Sequence, residues 1–258
     1  MAFIQASFFS RVLLKEVGLY AIVPEQGKGP FPVFYLLHGL SDDHTIWHRR
    51  TRIEWFVRTL PLIVVMPDGF RGFYTDNDDG PAYGRYLVED VIGFAERTFP
   101  AAGKRSGRCI GGLSMGGYGS MRLALAHPEL FVSAHSHSGA LFNMGRPFQG
   151  ERKAFLEKVF GKRRKGSAHD VFALAARHKR AGTRLPKLRI DCGLDDHLIT
   201  HNREFHAYLE KLGVAHEYSE HPGVHNWDYW EEHIQPALRF HARALGIHTG
   251  EAVKRLGG

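Results

Sequence analysis

Two short stretches, Val33–His38 (VFYLLH) and Leu62–Met66 (LIVVM), are apolar almost without interruption. A strand with one face in water alternates apolar and polar residues. A strand that is apolar at nearly every position is covered on both faces, as in a parallel sheet flanked by helices. Arg108–Gly112, Phe131–His135, Leu188–Cys192 and His216–Ser219 are further short strand candidates. Amphipathic stripes lie among them: Leu87, Val91, Phe94 and Ala95, then Phe205, Tyr208, Leu209 and Leu212, then Trp227, Trp230, Ile234, Ala237 and His241. Alternation of this kind predicts a doubly wound, mostly parallel α/β sheet. Segments 3–9 and 12–23 have no helix between them, so they are expected to pair antiparallel at one edge. The 258 residues are enough for a single large α/β domain spanning 1–258. The one break in composition is Leu141–Lys187, which reads as a basic insertion between two core strands, placed to cap a site in part.

The formal charge of +7 is unevenly spread. Residues 146–189 hold fourteen Arg or Lys against Glu151, Glu157 and Asp170, a balance of +11 that leaves the remaining chain at −4. This describes a basic insertion on a mildly acidic body, not a nucleic-acid-binding protein. The segment reads either as a solvated face or as a funnel for an anionic substrate or partner. No apolar run approaches the ~18 residues of a membrane span. The N-terminus lacks a basic n-region and a continuous apolar core, so no signal peptide is read and a cytoplasmic location is expected. Two cysteines exclude a disulfide framework and a four-cysteine zinc site. His44/His48 and His197/His201 have helical i, i+4 spacing but lack the Glu of H-E-x-x-H, so no metal is expected. Gly161–Ser167 (GKRRKGS) lacks the Lys-Ser/Thr pair of a P-loop, and no G-x-G-x-x-G follows a strand.

The most informative motif is RCIGGLSMGG, Arg108–Gly117. It contains G-x-S-x-G at Gly112–Gly116, between a candidate strand and a helical run at Tyr118–Ala126. In that setting the pattern is the nucleophile elbow of α/β hydrolases: small residues allow a tight strand-to-helix turn that lifts the serine hydroxyl clear of the backbone. A serine at neutral pH needs a base, and the base needs an orienting carboxylate, in the chain order Ser, Asp/Glu, His. After Leu188–Cys192 come Asp195 and Asp196, of which only one can face the base; Asp191 lies inside the strand and is a poor candidate. After His216–Ser219 come His221, which crowds the strand end and precedes Pro222, and His225, on a loop before the C-terminal helix. Ser114 and His225 are therefore the expected nucleophile and base. The strand Val33–His38 ends in His38-Gly39-Leu40, which places the backbone N–H of Leu40 with that of Met115 as expected oxyanion donors.

With these pieces in order, the chain resembles the esterase D-like family of α/β hydrolases, which includes tributyrin-type short-chain esterases, feruloyl and cinnamoyl esterases, S-formylglutathione hydrolases and mycolyltransferases. The resemblance runs from about Ala6 to Ala244. It rests on YLLHGLSDDHTIW (Tyr35–Trp47), VVMPDG (Val64–Gly69), GLSMGG (Gly112–Gly117), the G-x-x-D of Gly193–Asp196 and the G-x-H-x-W-x-x-W of Gly223–Trp230. It implies Asp196 as the acid and places Trp47 and Trp227 at the substrate pocket. Leu40-Ser41-Asp42-Asp43 stands where S-formylglutathione hydrolases usually carry a Cys-containing segment, which points to the general carboxylesterase branch. The implied activity is cofactor-free hydrolysis of a small-molecule ester, short-chain or feruloyl-type, with S-formylglutathione hydrolysis or acyl transfer as alternatives on the same residues. A polyanion-binding protein on an inactive scaffold is the alternative of another class. Monomer and homo-oligomer both remain open. The implied strand order puts Phe131–His135 between Cys109 and Cys192. Two strand spacings are about 9–10 Å, too far for a disulfide, so both thiols are expected to be free and buried.

Overall fold

Eight strands form one sheet in the order β1-β2-β4-β3-β5-β6-β7-β8. The computed structural model describes residues 1–247. The strands are β1 (Ala2–Ser10), β2 (Lys15–Val23), β3 (Val33–Leu37), β4 (Ile63–Pro67), β5 (Arg108–Leu113), β6 (Ser133–His137), β7 (Lys187–Gly193) and β8 (His216–His221). The β1–β2 hairpin lies at one edge and β2 joins β4 antiparallel; every other neighbouring pair is parallel. This is the mostly parallel sheet, with antiparallel N-terminal edge strands, that the apolar runs predict.

The helices are α1 (Ile46–Arg50), α2 (Ile53–Val57), α3 (Tyr83–Arg85), α4 (Ile92–Thr98), α5 (Met115–Ala126), α6 (Lys153–Phe160), α7 (Val171–Ala181), α8 (Ile199–Leu212) and α9 (Trp227–Leu245). One π-helical stretch, Tyr86–Val91, joins α3 to α4. All five residues of β3 are buried because alternate side chains enter two different cores. Val33, Tyr35 and Leu37 face the layer that holds α5, α7 and α8, whereas Phe34 and Leu36 face α2 and α9. Among the described residues no helix is long and apolar enough to cross a membrane.

The strand expected at Phe131–His135 lies two residues later, at Ser133–His137. Its sequence, SAHSH, is polar, yet every residue is buried. Several of its buried polar atoms pair, while Ser136 Oγ, His135 Nε2 and His137 Nε2 meet no hydrogen-bond partner among the described residues. Ser133 Oγ and His135 Nδ1 contact the two ring nitrogens of His241 at 2.8 and 2.7 Å. His137 Nδ1 meets the Asp191 carboxylate at 2.8 Å. Gly111 on β5 leaves room for this cluster, since a Cβ there would sit 2.0 Å from the His135 ring. β6 separates β5 from β7, and Cys109 and Cys192 are both free and buried, as the implied strand order requires. The basic segment between β6 and β7 carries α6 and α7. It is anchored by Leu156, Val159, Phe160, Val171 and Leu174, all buried in the α5-side core.

Candidate active site

β5 ends at Leu113 and α5 starts at Met115, so the chain turns within one residue. That residue is Ser114, with φ 53° and ψ −113°. A side chain at positive φ is strained and persists only where its surroundings hold it. Here the Ser114 N–H donates to His137 O at 2.9 Å, and the Ser114 carbonyl accepts from Tyr118 N and Ala140 N, both at 3.0 Å. The flanking glycines are required by space: a Cβ on Gly112 or Gly116 would lie 2.5 Å from the Leu37 carbonyl oxygen.

Asp196 and His225 come from the next two strand ends. The turn Gly193–Asp196 closes with Asp196 N–H to Gly193 O at 3.2 Å. It is zipped to the β8–α9 loop by Leu194 N–H to His221 O at 2.8 Å and Asp195 N–H to Gly223 O at 3.1 Å. The two loops touch so closely that a Cβ on Gly193 would sit 2.4 Å from Gly223 O. Gly223 itself holds φ 139°, a conformation that favours glycine. Asn226 caps α9 by accepting from Tyr229 N–H, which fixes His225 at the mouth of that helix.

The three side chains meet. His225 Nε2 lies 3.0 Å from Ser114 Oγ, and His225 Nδ1 lies 2.8 and 3.0 Å from the two Asp196 oxygens. An ionised carboxylate only accepts, so Nδ1 carries the imidazole proton and Nε2 accepts from the serine hydroxyl. Asp196 is buried and also accepts from the Leu198 N–H at 2.8 Å. Burial works to raise its pKa, but hydrogen bonds from His225, Leu198 and Ser138 outweigh that and hold the carboxyl below its ordinary value. Asp195 points into solvent. Asp191 pairs with His137 and Tyr229 instead of His225. His221 stacks on His233 at 4.3 Å.

The β3 end is rigid. Tyr74 Oη accepts from the His38 N–H at 3.0 Å, and the His38 ring bridges Gly39 O and the Gly69 N–H, both at 2.8 Å. Leu40 follows and lines the cleft with Ser114. Among the described residues, neither the Leu40 N–H nor the Met115 N–H donates to a protein acceptor. Two free donors beside a serine hydroxyl are what an oxyanion site needs.

The cleft over Ser114 measures about 350 Å³. Trp227 and Trp230 line it, and the Trp230 ring stands edge-on to His225 at 4.9 Å. Trp47 does not line it, contrary to expectation. Its indole N–H donates to Leu37 O at 3.0 Å, which keeps the ring in the core behind Trp227 at 5.3 Å. The sequence presents Trp230 in a core stripe and as the last residue of the G-x-H-x-W-x-x-W motif, and assigns it no place at the cleft. Arg152, His197 and Asp42 also line the cleft, and only folding brings them there. The donor atoms of Asp196, His197 and His225 fall within 4.8 Å of one another, the one described grouping that could ligate a metal. Neither i, i+4 histidine pair forms a helical ligand pair: α8 starts only at Ile199, after His197, and His44 lies before α1.

The family model "Esterase" matches residues 10–241. The chain belongs to the esterase family. This family member is 30% identical to the acetyl esterase of Caldicellulosiruptor saccharolyticus, over 93% of this chain and 98% of that one. A fluorophosphonate-binding serine hydrolase of Staphylococcus aureus superposes with a TM-score of 0.84 at 29% identity, covering 93% and 98% of the two chains. An S-formylglutathione hydrolase of the same organism does so with a TM-score of 0.82 at 30% identity and the same coverage. The fold is that of α/β hydrolases, and the protein is a carboxylic ester hydrolase.

Proposed function

We propose that this esterase hydrolyses short-chain acyl esters through a covalent intermediate on Ser114. The observation that carries the reading is the continuous relay from Ser114 Oγ through His225 to Asp196, at 3.0 and 2.8 Å, beside two unclaimed backbone donors. Ser114 Oγ attacks the ester carbonyl while its proton passes to His225 Nε2. Asp196 fixes the imidazole tautomer and stabilises the imidazolium. The carbonyl oxygen, now an oxyanion, is held by the N–H groups of Leu40 and Met115; one such donor is worth about 10²–10³ in kcat. Collapse of the tetrahedral adduct breaks the C–O bond, and His225 protonates the departing alcohol. Water then attacks the acyl-enzyme by the same route, releasing the acid and restoring Ser114.

A cleft of about 350 Å³ walled by indoles supports a small acyl group. So does the likeness to an acetyl esterase. A thioester would be cleaved by the same residues, and the likeness to an S-formylglutathione hydrolase favours that second reading. A polyanion-binding role loses its motivation when the relay is intact. The test is a p-nitrophenyl ester series from acetyl to octanoyl, with the pre-steady-state burst recorded. The expected result is a burst of about one equivalent, with kcat/KM highest from acetyl to butyryl and at least about tenfold lower at octanoyl. Activity that rises steadily with chain length would contradict the short-chain reading, and absence of hydrolysis would contradict the whole.

A further inference from the structure

His197 stands beside the relay with no part in the proposed chemistry. It follows Asp196 directly in the chain, and its side chain is exposed at the cleft. Its ring lies 4.5 Å from that of His225, edge to face. Its Nδ1 is 3.6 Å from Asp196 Oδ1, too far for a hydrogen bond. Among the described residues its ring nitrogens meet no hydrogen-bond partner.

Three donors therefore converge. His225 Nδ1 is 3.0 Å, and His197 Nδ1 3.6 Å, from the same Asp196 oxygen. One ligand atom from each residue lies within 4.8 Å of the other two. A tetrahedral zinc ion holds nitrogen and oxygen at about 2.0–2.1 Å, which sets neighbouring ligand atoms about 3.3 Å apart. The two distances to Asp196 bracket that spacing. The remaining separation closes when the exposed His197 ring swings inward. Two imidazoles and a carboxylate, with a fourth position left to water, make a donor set for zinc; magnesium and calcium take oxygen ligands. The Leu198 N–H donates to Asp196 Oδ1 at 2.8 Å and orients the carboxylate, as outer hydrogen bonds orient metal ligands. Arg152 and Asp42 also line the cleft and carry opposite charges.

We propose that Asp196, His197 and His225 form a binding site for Zn²⁺, and that zinc held there switches the esterase off. Binding forms Zn–N bonds to His197 and to His225 Nδ1, and a Zn–O bond to Asp196. The Nδ1–H bond of His225 breaks, and its proton passes to solvent. Asp196 then faces the ion and no longer orients the imidazole. The charge of the metal lowers the basicity of His225 Nε2, so the Ser114 proton loses its acceptor. Without His197 the relay would offer the ion only two ligands. The loss of activity rests on the acyl-enzyme reading above, whereas the binding of the ion does not.

The test pairs activity with binding. Hydrolysis of p-nitrophenyl acetate is followed at free zinc concentrations set with nitrilotriacetate. Calorimetry with zinc alone, in two buffers of different ionisation enthalpy, gives stoichiometry and proton release. The expected results are about one ion bound and about one proton released per chain, with inhibition that EDTA reverses and Mg²⁺ does not reproduce. His197→Ala is expected to raise the zinc concentration for half inhibition at least about tenfold, and to weaken binding in parallel. His206→Ala alters a histidine pair outside the cleft, 2.7 Å from His216, and should leave the inhibition unchanged. Ser114→Ala keeps all three ligands and should bind the ion as the unaltered protein does. Zinc sensitivity unchanged by His197→Ala, or lost with His206→Ala, would overturn the site. Failure of Ser114→Ala to bind zinc would overturn it as well. Hydrolysis undiminished by zinc would overturn the switch. If the unaltered protein does not hydrolyse the ester at all, the acyl-enzyme reading fails, and calorimetry on His197→Ala still decides the site.

Discussion

Backbone hydrogen bonds hold Ser114 at φ 53°, so removing its hydroxyl leaves the turn in place and isolates the chemistry. Ser114→Ala and His225→Ala are each expected to lower kcat on p-nitrophenyl acetate by about 10³-fold or more, because relay members act as a unit. His221→Ala should stay within a few-fold, since that ring stacks on His233 and not on the serine. Loss of activity with His221→Ala and its survival with His225→Ala would reverse the assignment. Asp196→Asn should cost at least about 10²-fold, because an amide can donate to Nδ1 and favours the wrong tautomer. Asp195→Asn should be close to neutral, because that side chain faces solvent. Equal losses from the two substitutions would remove Asp196 from the relay. At this scale much of the candidate site is legible in the sequence: Ser114, His225 and the two proposed oxyanion residues, Leu40 and Met115, follow from motif and order. Asp196 over Asp195 follows only from the G-x-x-D resemblance, because adjacent carboxylates differ only in which way the turn from Gly193 directs them.

At the scale of elements, the site depends on how closely α5 approaches β3. A methyl group on Gly116 would meet the Leu37 and His38 carbonyl oxygens at 2.5 and 2.7 Å, both backbone atoms that cannot swing aside. Gly116→Ala is therefore expected to cost about 1–3 kcal/mol in urea unfolding, as overpacking does, and to lower kcat together with stability because α5 carries Met115. Unchanged stability and kcat would show that the approach is looser than these distances require. The apolar strands are legible because uninterrupted runs such as LIVVM have few alternatives. The sequence places β6 too early because SAHSH carries no apolar signal. The partners that its polar groups do find are distant in sequence: His241 lies 108 residues beyond Ser133 and 106 beyond His135, and Asp191 lies 54 beyond His137. Arg152 is hidden for a similar reason: its basic segment is evident, but which cation meets the cleft depends on how α6 packs.

Across the whole molecule, buried histidines couple folding to pH. Burial, followed by nearby positive charge, lowers His241 to about 3, and burial lowers His233 to about 4 despite the neighbouring Asp191. Burial also holds His135 well below its ordinary value. The unfolded imidazoles take up protons near ~6.5. Between that value and about 4 the unfolded chain binds more protons, so stability is full above ~6.5 and is lost as pH falls through this window. Each imidazole contributes up to about 1.4 kcal/mol per pH unit there. Thermal melts should show a midpoint that drops steeply from about pH 6.5 to about pH 4.5; a flat or rising midpoint would contradict neutral buried imidazoles. The most direct test of the central claim also addresses the whole chain, which holds eleven serines. Incubation with a fluorophosphonate, followed by intact mass and peptide mapping, is expected to give one adduct per chain, on the peptide containing Ser114. That adduct should vanish in Ser114→Ala and form far more slowly in His225→Ala. Labelling at any other serine, or persistence of the adduct in Ser114→Ala, would contradict the account.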